Sequence, residues 1–341
     1  MSVPQVLLDP AVSSSGVVSP SASPGPAKLG VLYEHPAWFE RLFAELDRRG
    51  IHYHKLPAPD HFYDPGARDQ RFALIFNRMS PSADRRNHGS GILYTQSWLG
   101  HLEALGTRVI NGSKAFRYET SKALQLSLLH SLALPFPKAR VIHDPKHAVE
   151  ASQGLRFPVV VKPNVGGSGA GIVRFDSRDD LRAAVQEDRI ALGYDHVGLV
   201  QEFIPARGGH ITRVETLAGQ YLYAIQVHLT GETFDLCPAD ICQTTRGESL
   251  NNACVVEAAK AGLKVESYSP PADVVSAVER IVQAAGIEIG GIEYVVDERD
   301  GQLYFYDVNA LSNFVADAPR VIGFDPFLNL VDFLVAELAN V

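Results

Sequence analysis

The segment FPVVVKPNVGGSGAGIVRF, residues 157–175, combines a lysine with a run of glycines in a way that suits phosphate binding. In a Walker loop the lysine follows the glycines and a helix comes next, whereas here Lys162 precedes the glycines and an apolar strand follows. The dinucleotide-binding pattern fails too, because its third glycine would fall on Ile172. The segment predicts a strand–loop–strand flap whose backbone N–H groups and lysine ammonium face anionic oxygens. A glycine-rich hairpin without a ligand is the alternative. The residues of this loop that we expect at the ligand are Gly166, Gly167, Ser168, Gly169 and Gly171.

The segment LYFYDVN near the C-terminus carries two oxygen-bearing side chains at the end of an apolar strand. Side chains two positions apart share one face of a strand, so Asp307 and Asn309 are expected to point together, with Tyr306 pointing away. Glu293 lies on the preceding strand, across a hairpin. Two carboxylates and an amide oxygen suit magnesium, with ATP phosphate and water completing an octahedron. A polar rim at a strand end is the alternative, although unpaired acids among Val, Tyr, Phe and Ile are costly to bury.

These two segments need a framework that brings them together, and the pattern of apolar residues predicts one. From Lys28 onward short apolar strands alternate with amphipathic helices, which indicates a small parallel sheet. A helix over Glu119–Leu132 ends at the prolines of LPFPKA. Later strands are joined by tight turns such as Ala218-Gly219, which indicates antiparallel pairing and an α+β second half. The predicted strands include LGVLY, FALIF (72–76), RVIN (108–111), FPVVVKP, GIVRF (171–175), HVGLVQEFI, RVETL, QYLYAIQVHL, GGIEYVVD and QLYFYDVN.

In this order along the chain, the two segments resemble the ATP-grasp superfamily, and most closely its RimK-like and glutathione-synthetase-like carboxylate–amine ligases. The resemblance covers nearly the whole chain from Lys28. In SKALQLSLLHSLALPFP, Lys122 matches the lysine of the family's Asp-Lys…Leu-Leu…Pro helix, which reaches the nucleotide phosphates, although Ser121 stands where aspartate is usual. Lys162 matches the second phosphate lysine, and the glycine loop matches the flexible lid.

The resemblance also assigns the remainder of an ATP site. Arg213 matches the arginine that stabilises phosphate charge, so Arg213 and Lys162 are the expected catalytic residues. The metal triad is matched by Glu293, Asp307 and Asn309, with the two acids exchanged in length. ATP and Mg2+ are the implied cofactors, with Mn2+ as an alternative ion. The hinge that binds adenine through backbone groups is matched by Gln201, Glu202, Phe203 and Ile204.

Two departures from the family pattern lie beside the nucleotide and the substrate. Ile211 replaces the acidic residue that binds ribose, which leaves the neighbouring His210 as the candidate for that contact. After Asn309 the usual Ser/Thr-Ser-Pro-Gly is replaced by Ala-Leu-Ser-Asn-Phe, so Ser312 and Asn313 are the expected substrate residues there.

Two arginines are further candidates for substrate contacts. The segment FDLCPADICQTTRG (234–247) is unlike the family and contributes Arg246, with a solvated loop as the alternative. Arg78 ends a predicted parallel strand, where ligands gather. The RimK-like family carries an arginine at this position near the acceptor site.

The resemblance implies an ATP-grasp fold of mixed α/β and α+β class, in which a parallel N-terminal unit precedes two α+β units that enclose ATP. It implies an ATP-dependent amide- or peptide-forming ligase: the γ-phosphoryl group passes to a carboxylate, and an amine attacks the acylphosphate, releasing phosphate. A small-molecule kinase on the same scaffold and a nucleotide-binding regulatory protein without catalysis are the alternatives. The expected units are a disordered leader over 1–27, an N-terminal domain over 28–115, a lid subdomain over 116–200 and a C-terminal subdomain with the metal site over 201–341.

Composition agrees with such an enzyme. The chain has 341 residues, of which 46% are hydrophobic, enough for two or three packed subdomains. A net charge of −8 argues against nucleic acid as a partner, and no apolar run approaches the roughly 20 residues of a membrane helix. The expected partners are small-molecule or peptide carboxylates and amines, and a homo-oligomer is compatible with the sequence. Three cysteines indicate a reducing compartment and predict a cytoplasmic location: Cys237, Cys242 and Cys254.

Overall fold

The computed structural model describes residues 29–68, 71–167, 169–229 and 264–341. The predicted leader over 1–27, Ser168 and the segment that carries Arg246 and the three cysteines lie outside these residues.

The N-terminal part forms a four-stranded parallel sheet, as the alternation of strands and helices predicts. Its order is β2-β1-β3-β4, and β1 pairs with both β2 and β3. Strand β2 is missing from the prediction because it is an edge strand whose sequence, YHKLP, is partly exposed and has no apolar run. The elements are β1 (Leu29–Tyr33), α1 (Glu40–Arg48), β2 (Tyr53–Pro57), β3 (Leu74–Arg78), α2 (Ser90–Ala104) and β4 (Arg108–Ile110).

Two helices, α3 (Ser113–Glu119) and α4 (Lys122–Ser131), follow this sheet. The helix predicted over Glu119–Leu132 is present as α4 but begins three residues later than expected, because the chain leaves helical geometry at Ser121 (φ −152°, ψ 101°). The Ser121 hydroxyl accepts the N–H of Leu124 at 3.3 Å and caps α4. The serine that replaces the family's aspartate therefore still starts this helix, and Lys122 is its first residue.

The second sheet is antiparallel, with the order β5-β8-β6-β7. Strands β6 and β7 form the predicted hairpin around the glycine loop, with Val160 opposite Arg174. Its core includes Val159 and Val161 of β6, Phe175 and Leu181. The elements are β5 (Ala139–Ile142), α5 (Ala148–Ala151), β6 (Val159–Pro163), β7 (Val173–Phe175), α6 (Arg178–Gln186) and β8 (Gly198–Glu202).

The third sheet is also antiparallel, with the order β11-β10-β9-β12-β13. One of its faces packs on α7 and on α3 and α4, which share a hydrophobic core with it. Helices α3 and α4 thus lie on the C-terminal sheet. Most of their residues belong to the unit that the sequence predicts over 116–200. The unit boundaries stay a prediction. The elements are β9 (His210–Leu217), β10 (Gln220–His228), β11 (Val265–Tyr268), α7 (Ala272–Ala285), β12 (Ile289–Val296), β13 (Leu303–Asn309), α8 (Ala318–Ile322) and α9 (Pro326–Ala339).

The mixed α/β and α+β class is confirmed by one parallel and two antiparallel sheets. A second core joins the first and third sheets, since α1 packs against α9 and Leu42 and Leu46 belong to the same cluster as Val331. Within the described ranges, no helix has the length and apolar character needed to cross a membrane.

Candidate active site

A cavity is lined by the second and third sheets and by loops that follow strands of the first sheet. The N-terminal part contributes Trp38 and the segment Ser80-Pro81-Ser82. Most of the residues predicted from the sequence lie around this cavity. They are Lys122, Lys162, Gly166, Gly167, Gly169, Gln201, Glu202, Phe203, Ile204, Arg213, Glu293, Asp307, Asn309 and Asn313.

Two lysines supply positive charge to the cavity. Lys162 on β6 is 5% exposed, and burial lowers its pKa to about 8, with the neighbouring charge of Lys122 adding to the effect. No carboxylate among the described residues forms an ion pair with Lys162. Lys122 lies 3.5 Å from Asp307 and donates to the carbonyl oxygen of Gly166 at 3.1 Å. The start of α4 is therefore joined to both the glycine loop and the acidic strand.

The glycine loop lies against the N-terminal part of the protein. Gly171 has a φ of +73°, and a Cβ atom there would be 2.9 Å from Cγ of Pro163, so the path by which the loop enters β7 favours glycine. A Cβ atom on Gly167 would be 3.6 Å from Cβ of Ser82 and 3.9 Å from Cγ of Pro81. The loop therefore runs close to the Pro81-Ser82 segment on this side of the cavity, with room for little more than a methyl group between them.

The acidic set lies on two adjacent strands in the expected way. Glu293 on β12 is paired in register with Asp307 on β13, and Gly291 with Asn309. The Asn309 amide donates to the carbonyl oxygen of Gly291 at 3.2 Å. Burial alone would raise the pKa of Asp307, but the ammonium groups of Lys122 and Lys162 hold it below its usual value.

Tyr306 corrects one expectation from strand alternation. A β-bulge between Glu293 and Tyr294 shifts the register, so that Tyr294 is paired with Phe305. Tyr306 then lines the cavity instead of pointing away, and its hydroxyl donates to Oε2 of Glu293 at 2.7 Å. Alternation of side chains cannot anticipate such an extra residue in one strand.

Arg213 on β9 is held between two carboxylates. It is 4% exposed, and it donates from Nε to Glu215 at 2.6 Å and from Nη1 to Glu293 at 2.8 Å. Its guanidinium crosses the space above Gly291, where a Cβ atom would be 2.4 Å from Nη2. The arginine and the glycine lie on adjacent strands, and the absence of a side chain at Gly291 gives Arg213 its place beside the cavity.

The residues predicted to bind metal fit a magnesium ion. Oδ1 of Asp307 is buried and has no hydrogen-bond partner among the described residues. Glu293 already accepts one hydrogen bond on each oxygen, but a carboxylate oxygen has a further lone pair for a cation. In the described parts of the chain no three His, Cys, Asp or Glu side chains gather as a metal site. The amide oxygen of Asn309 would supply a third hard donor beside the two carboxylates.

The hinge is fixed by a network of charged side chains behind it. Buried Asp297 accepts from Arg299 and from Arg156, at 2.8 and 2.7 Å. Arg299 also donates to the carbonyl oxygen of Phe203 at 3.1 Å, and the backbone N–H of Arg156 donates to Glu202 at 2.9 Å. Asp297 thus ties the turn after β12 to the segment that was predicted to bind adenine.

The loop Ala310–Phe314, where the family pattern ends, is held by side chains from three other segments. Arg78 donates to the carbonyl oxygen of Ser312 and, at 2.8 Å, to Oδ1 of Asn313. Arg78 is 2% exposed, and burial lowers its pKa to about 9. Asn111, after β4, donates to the carbonyl oxygen of Ala310. Asn313 lines the cavity, whereas Arg78 and Ser312 lie behind it and set the path of the loop.

Glu119, at the end of α3, is the third anchor of this loop and lines the cavity itself. Its Oε2 accepts the backbone N–H groups of Ala310 and of Leu311, the latter at 3.1 Å. Burial raises the pKa of Glu119 to about 7, against the opposing effect of the Ala310 N–H bond.

Some predicted residues do not lie at the cavity, and some cavity residues were not predicted. Gly171 and His210 are not part of its lining; the His210 ring instead lies 5.6 Å from that of His228. Ser168 and Arg246 lie outside the described residues. Glu119 was predicted only as part of a helix and not as a site residue. The signal that could have identified it is an acidic side chain three residues before Lys122, the predicted phosphate lysine. Gly291 and Tyr306 carried no signal, because their roles depend on strand register.

A model of the family described as D-ala D-ala ligase C-terminus matches residues 131–316, more than half of the chain. The chain is 28% identical over 247 residues to a D-alanine–D-alanine ligase of Pseudomonas putida (strain GB-1), with 71% of each chain covered. It is 26% identical over 221 residues to inositol-tetrakisphosphate 1-kinase 2 of Glycine max, covering 62% of this chain and 64% of that protein.

Solved structures confirm the predicted fold. The ATP-grasp ligase PsnB, in complex with a minimal precursor, Mg and ADP, superposes with a TM-score of 0.61 at 18% identity. The match covers 93% of this chain and all of that chain.

Proposed function

The chain belongs to the D-ala D-ala ligase C-terminus family, a member of the ATP-grasp ligases that form carbon–nitrogen bonds, and from this premise we propose that it joins a carboxylate to an amine through an acylphosphate. The observation that carries the proposal is the convergence of Lys122, Lys162 and Arg213 with Asp307 and Asn309 on one cavity. Such an arrangement of cations and hard oxygen donors suits a nucleotide triphosphate with its divalent ion.

In this proposal the side chains position groups and neutralise charge. Lys122 and Lys162 face the polyphosphate, and Arg213 faces the γ-phosphoryl group as it passes from ATP to the substrate carboxylate. An amine then attacks the acyl carbon; the new C–N bond forms, the C–O bond to phosphate breaks with its electron pair leaving on phosphate, and the proton lost by the amine nitrogen leaves with the phosphate. ADP and phosphate are released. Phosphoryl transfer of this kind needs no nucleophile from the protein.

The remaining residues bind the ion, orient the nucleotide and exclude water. Glu293, Asp307 and Asn309 would hold Mg2+, which when bound neutralises phosphate charge. Gln201 to Ile204 would hold the adenine, supported from behind by Asp297. The glycine loop, which runs close to Pro81 and Ser82, would keep water from the acylphosphate.

Incubation with ATP, magnesium chloride and a pool of the twenty standard amino acids with D-alanine tests the proposal. Mass spectrometry should detect a new amide, formed together with ADP and phosphate in equal amounts. The Asp307→Asn variant, which keeps the shape of the side chain, serves as the inactive control. Product formed without ADP, or full activity of Asp307→Asn, would contradict the proposal.

A kinase is the second candidate, because the inositol-tetrakisphosphate kinase of Glycine max is among the relatives. A kinase would yield a stable phosphorylated compound and ADP with no free phosphate, so the same assay separates the two reactions. A regulatory nucleotide-binding protein would bind ATP without turnover. The cytoplasmic location and a homo-oligomer stay predictions.

A further inference from the structure

Glu119 brings to the cavity a carboxylate oxygen that the proposed ATP and metal site does not use. The residue is 5% exposed and lines the cavity beside Lys122, Asn309 and Leu311. Both of its recorded hydrogen bonds, from the N–H groups of Ala310 and Leu311, end on Oε2. Oε1 accepts no hydrogen bond from the described part of the chain, so one oxygen holds the loop and the other is left to the cavity.

The charges around the cavity define what Oε1 can face. Phosphate groups would be repelled by a carboxylate, whereas an N–H donor or a cation would be attracted. Two of the neighbouring cations have other partners: Lys122 contacts Asp307 and Gly166, and Arg213 is held by Glu215 and Glu293. Arg78, whose charge acts on Glu119, donates from Nη2 to Ser312 and Asn313, while its Nε and Nη1 make no hydrogen bond and so do not reach Oε1 either. Oε1 is therefore available to a group that a ligand brings.

We propose that Glu119 binds the primary amine of the acceptor substrate through an N–H bond to Oε1. An acceptor that arrives as an ammonium group passes one proton to this carboxylate, which frees the nitrogen lone pair for the attack. The inference rests on the proposed ligase function. Glu119 lies between the strand that carries Asp307 and Asn309 and the loop that carries Asn313, so an amine bound there is beside the predicted phosphoryl-transfer site. The same carboxylate fixes the loop and holds the nucleophile, which links the position of Asn313 to that of the amine.

The substitution Glu119→Gln separates the two roles. Its amide oxygen can still accept the N–H groups of Ala310 and Leu311, while the negative charge that attracts an amine is removed. Hydroxylamine, a small neutral nucleophile, traps an acylphosphate as a hydroxamate without needing a charged amine site. Hydroxamate formation with the amino-acid pool therefore reports the first half-reaction, and amide formation with the same pool or with ammonium chloride reports the second.

The loss of one charge-assisted hydrogen bond should raise the KM for the amine about 10- to 100-fold in Glu119→Gln. The rate of hydroxamate formation and the KM for ATP should stay within roughly threefold of the wild type, because the groups that contact ATP are unchanged. Glu103→Gln is the matched control: Glu103 also accepts a backbone N–H, that of Ser113, but does not line the cavity. This variant should leave both half-reactions unchanged, and melting curves verify that both variants fold.

Three results would overturn the inference while leaving the ligase function intact. One is an unchanged KM for the amine in Glu119→Gln. Another is a parallel loss of hydroxamate and amide with a raised magnesium or ATP requirement, which would place Glu119 with the metal ligands. The third is wild-type hydroxamate formation with no amide from the pool or from ammonium chloride. Failure of the proposed function has a different signature, the absence of hydroxamate and ADP from the wild type itself.

Discussion

The substitution Gly291→Ala tests whether the missing side chain at this position holds Arg213 in place. Gly291 is buried and its φ is not positive, so the backbone itself accepts alanine. The new Cβ atom would lie 2.4 Å from Nη2 and 2.6 Å from Cζ of Arg213, and the guanidinium has to move. The end of an arginine usually moves easily, but this one is bound to Glu215 and Glu293 and is 4% exposed.

The size of the effect follows from those contacts. Moving the guanidinium off Glu293 breaks one charge-assisted hydrogen bond, which costs about 1.5–3 kcal/mol. If the transition state for phosphoryl transfer loses the same interaction, turnover falls about 10- to 150-fold. The melting temperature should fall by a few degrees, since about 1 kcal/mol corresponds to roughly 2–4 °C in a protein of 150–250 residues and to less in a longer chain.

The assay measures ADP release and thermal melting of Gly291→Ala beside Gly100→Ala. Gly100 lies on the exposed side of α2, and a Cβ atom there would meet nothing within 4 Å. That control should melt at or slightly above the wild-type temperature, since alanine favours a helix by about 0.5–1 kcal/mol over glycine, and its activity should be unchanged.

A double variant decides whether the clash with Arg213 is the cause. Removing Arg213 leaves two buried carboxylates unpaired, which costs about 3–5 kcal/mol. With the arginine absent, Gly291→Ala has nothing to displace, so Arg213→Ala/Gly291→Ala should be no less stable than Arg213→Ala alone. Additive losses in the double variant, or wild-type activity in Gly291→Ala, would refute this reasoning.

Three more substitutions test the remaining parts of the site. Asp307→Asn removes the charge that faces Lys122, and we expect magnesium-dependent ADP release to fall at least about 100-fold with little change in melting; undiminished turnover at saturating magnesium would contradict the metal assignment. Burial lowers the pKa of Lys162 to about 8, so its charge is lost as the pH rises through that value. Calorimetry without magnesium should therefore show ATP affinity falling above about pH 8, and Lys162→Met should flatten the profile; an equal pH response in both proteins would oppose this. Asp297→Asn removes the carboxylate behind the hinge, and the KM for ATP should rise about 10-fold through loss of order at Phe203; an unchanged KM would show that the network does not support the hinge.

The elements that carry the site were predictable where one segment contains the whole signal. The lysine and glycines of residues 162–171 specify a hairpin locally, because glycine is what allows the positive φ angles of that loop. The positions of Asp307 and Asn309 on one face follow from the two-residue period of a strand. The start of α4 at Lys122 was not predictable from apolar spacing, because it is set by the extended backbone and the capping hydroxyl of Ser121.

Features that depend on contacts between distant segments escaped prediction. Arg213 and Gly291 are 78 residues apart in sequence and become neighbours through the register of β9 and β12, in which Arg213 is opposite Glu293 and Gly291 is opposite Glu215. Tyr306 enters the cavity because of a bulge that side-chain alternation does not encode. Glu119 was placed at a helix start, but its contact with Ala310 bridges 191 residues. The binding assignments that rest on the resemblance, such as the adenine hinge, stay predictions.

The way the loop Ala310–Phe314 is anchored limits which segments can be exchanged between this chain and its relatives. Its conformation depends on Arg78, Asn111 and Glu119, and the N–H that follows it at Val315 donates to the Tyr223 hydroxyl at 2.8 Å. A short loop grafted from another ligase would lose these partners and leave buried polar groups unsatisfied. A working chimera therefore has to exchange the loop together with the N-terminal sheet and α3. If the loop contacts the acceptor as proposed, transfer of the loop peptide alone should not transfer acceptor selectivity.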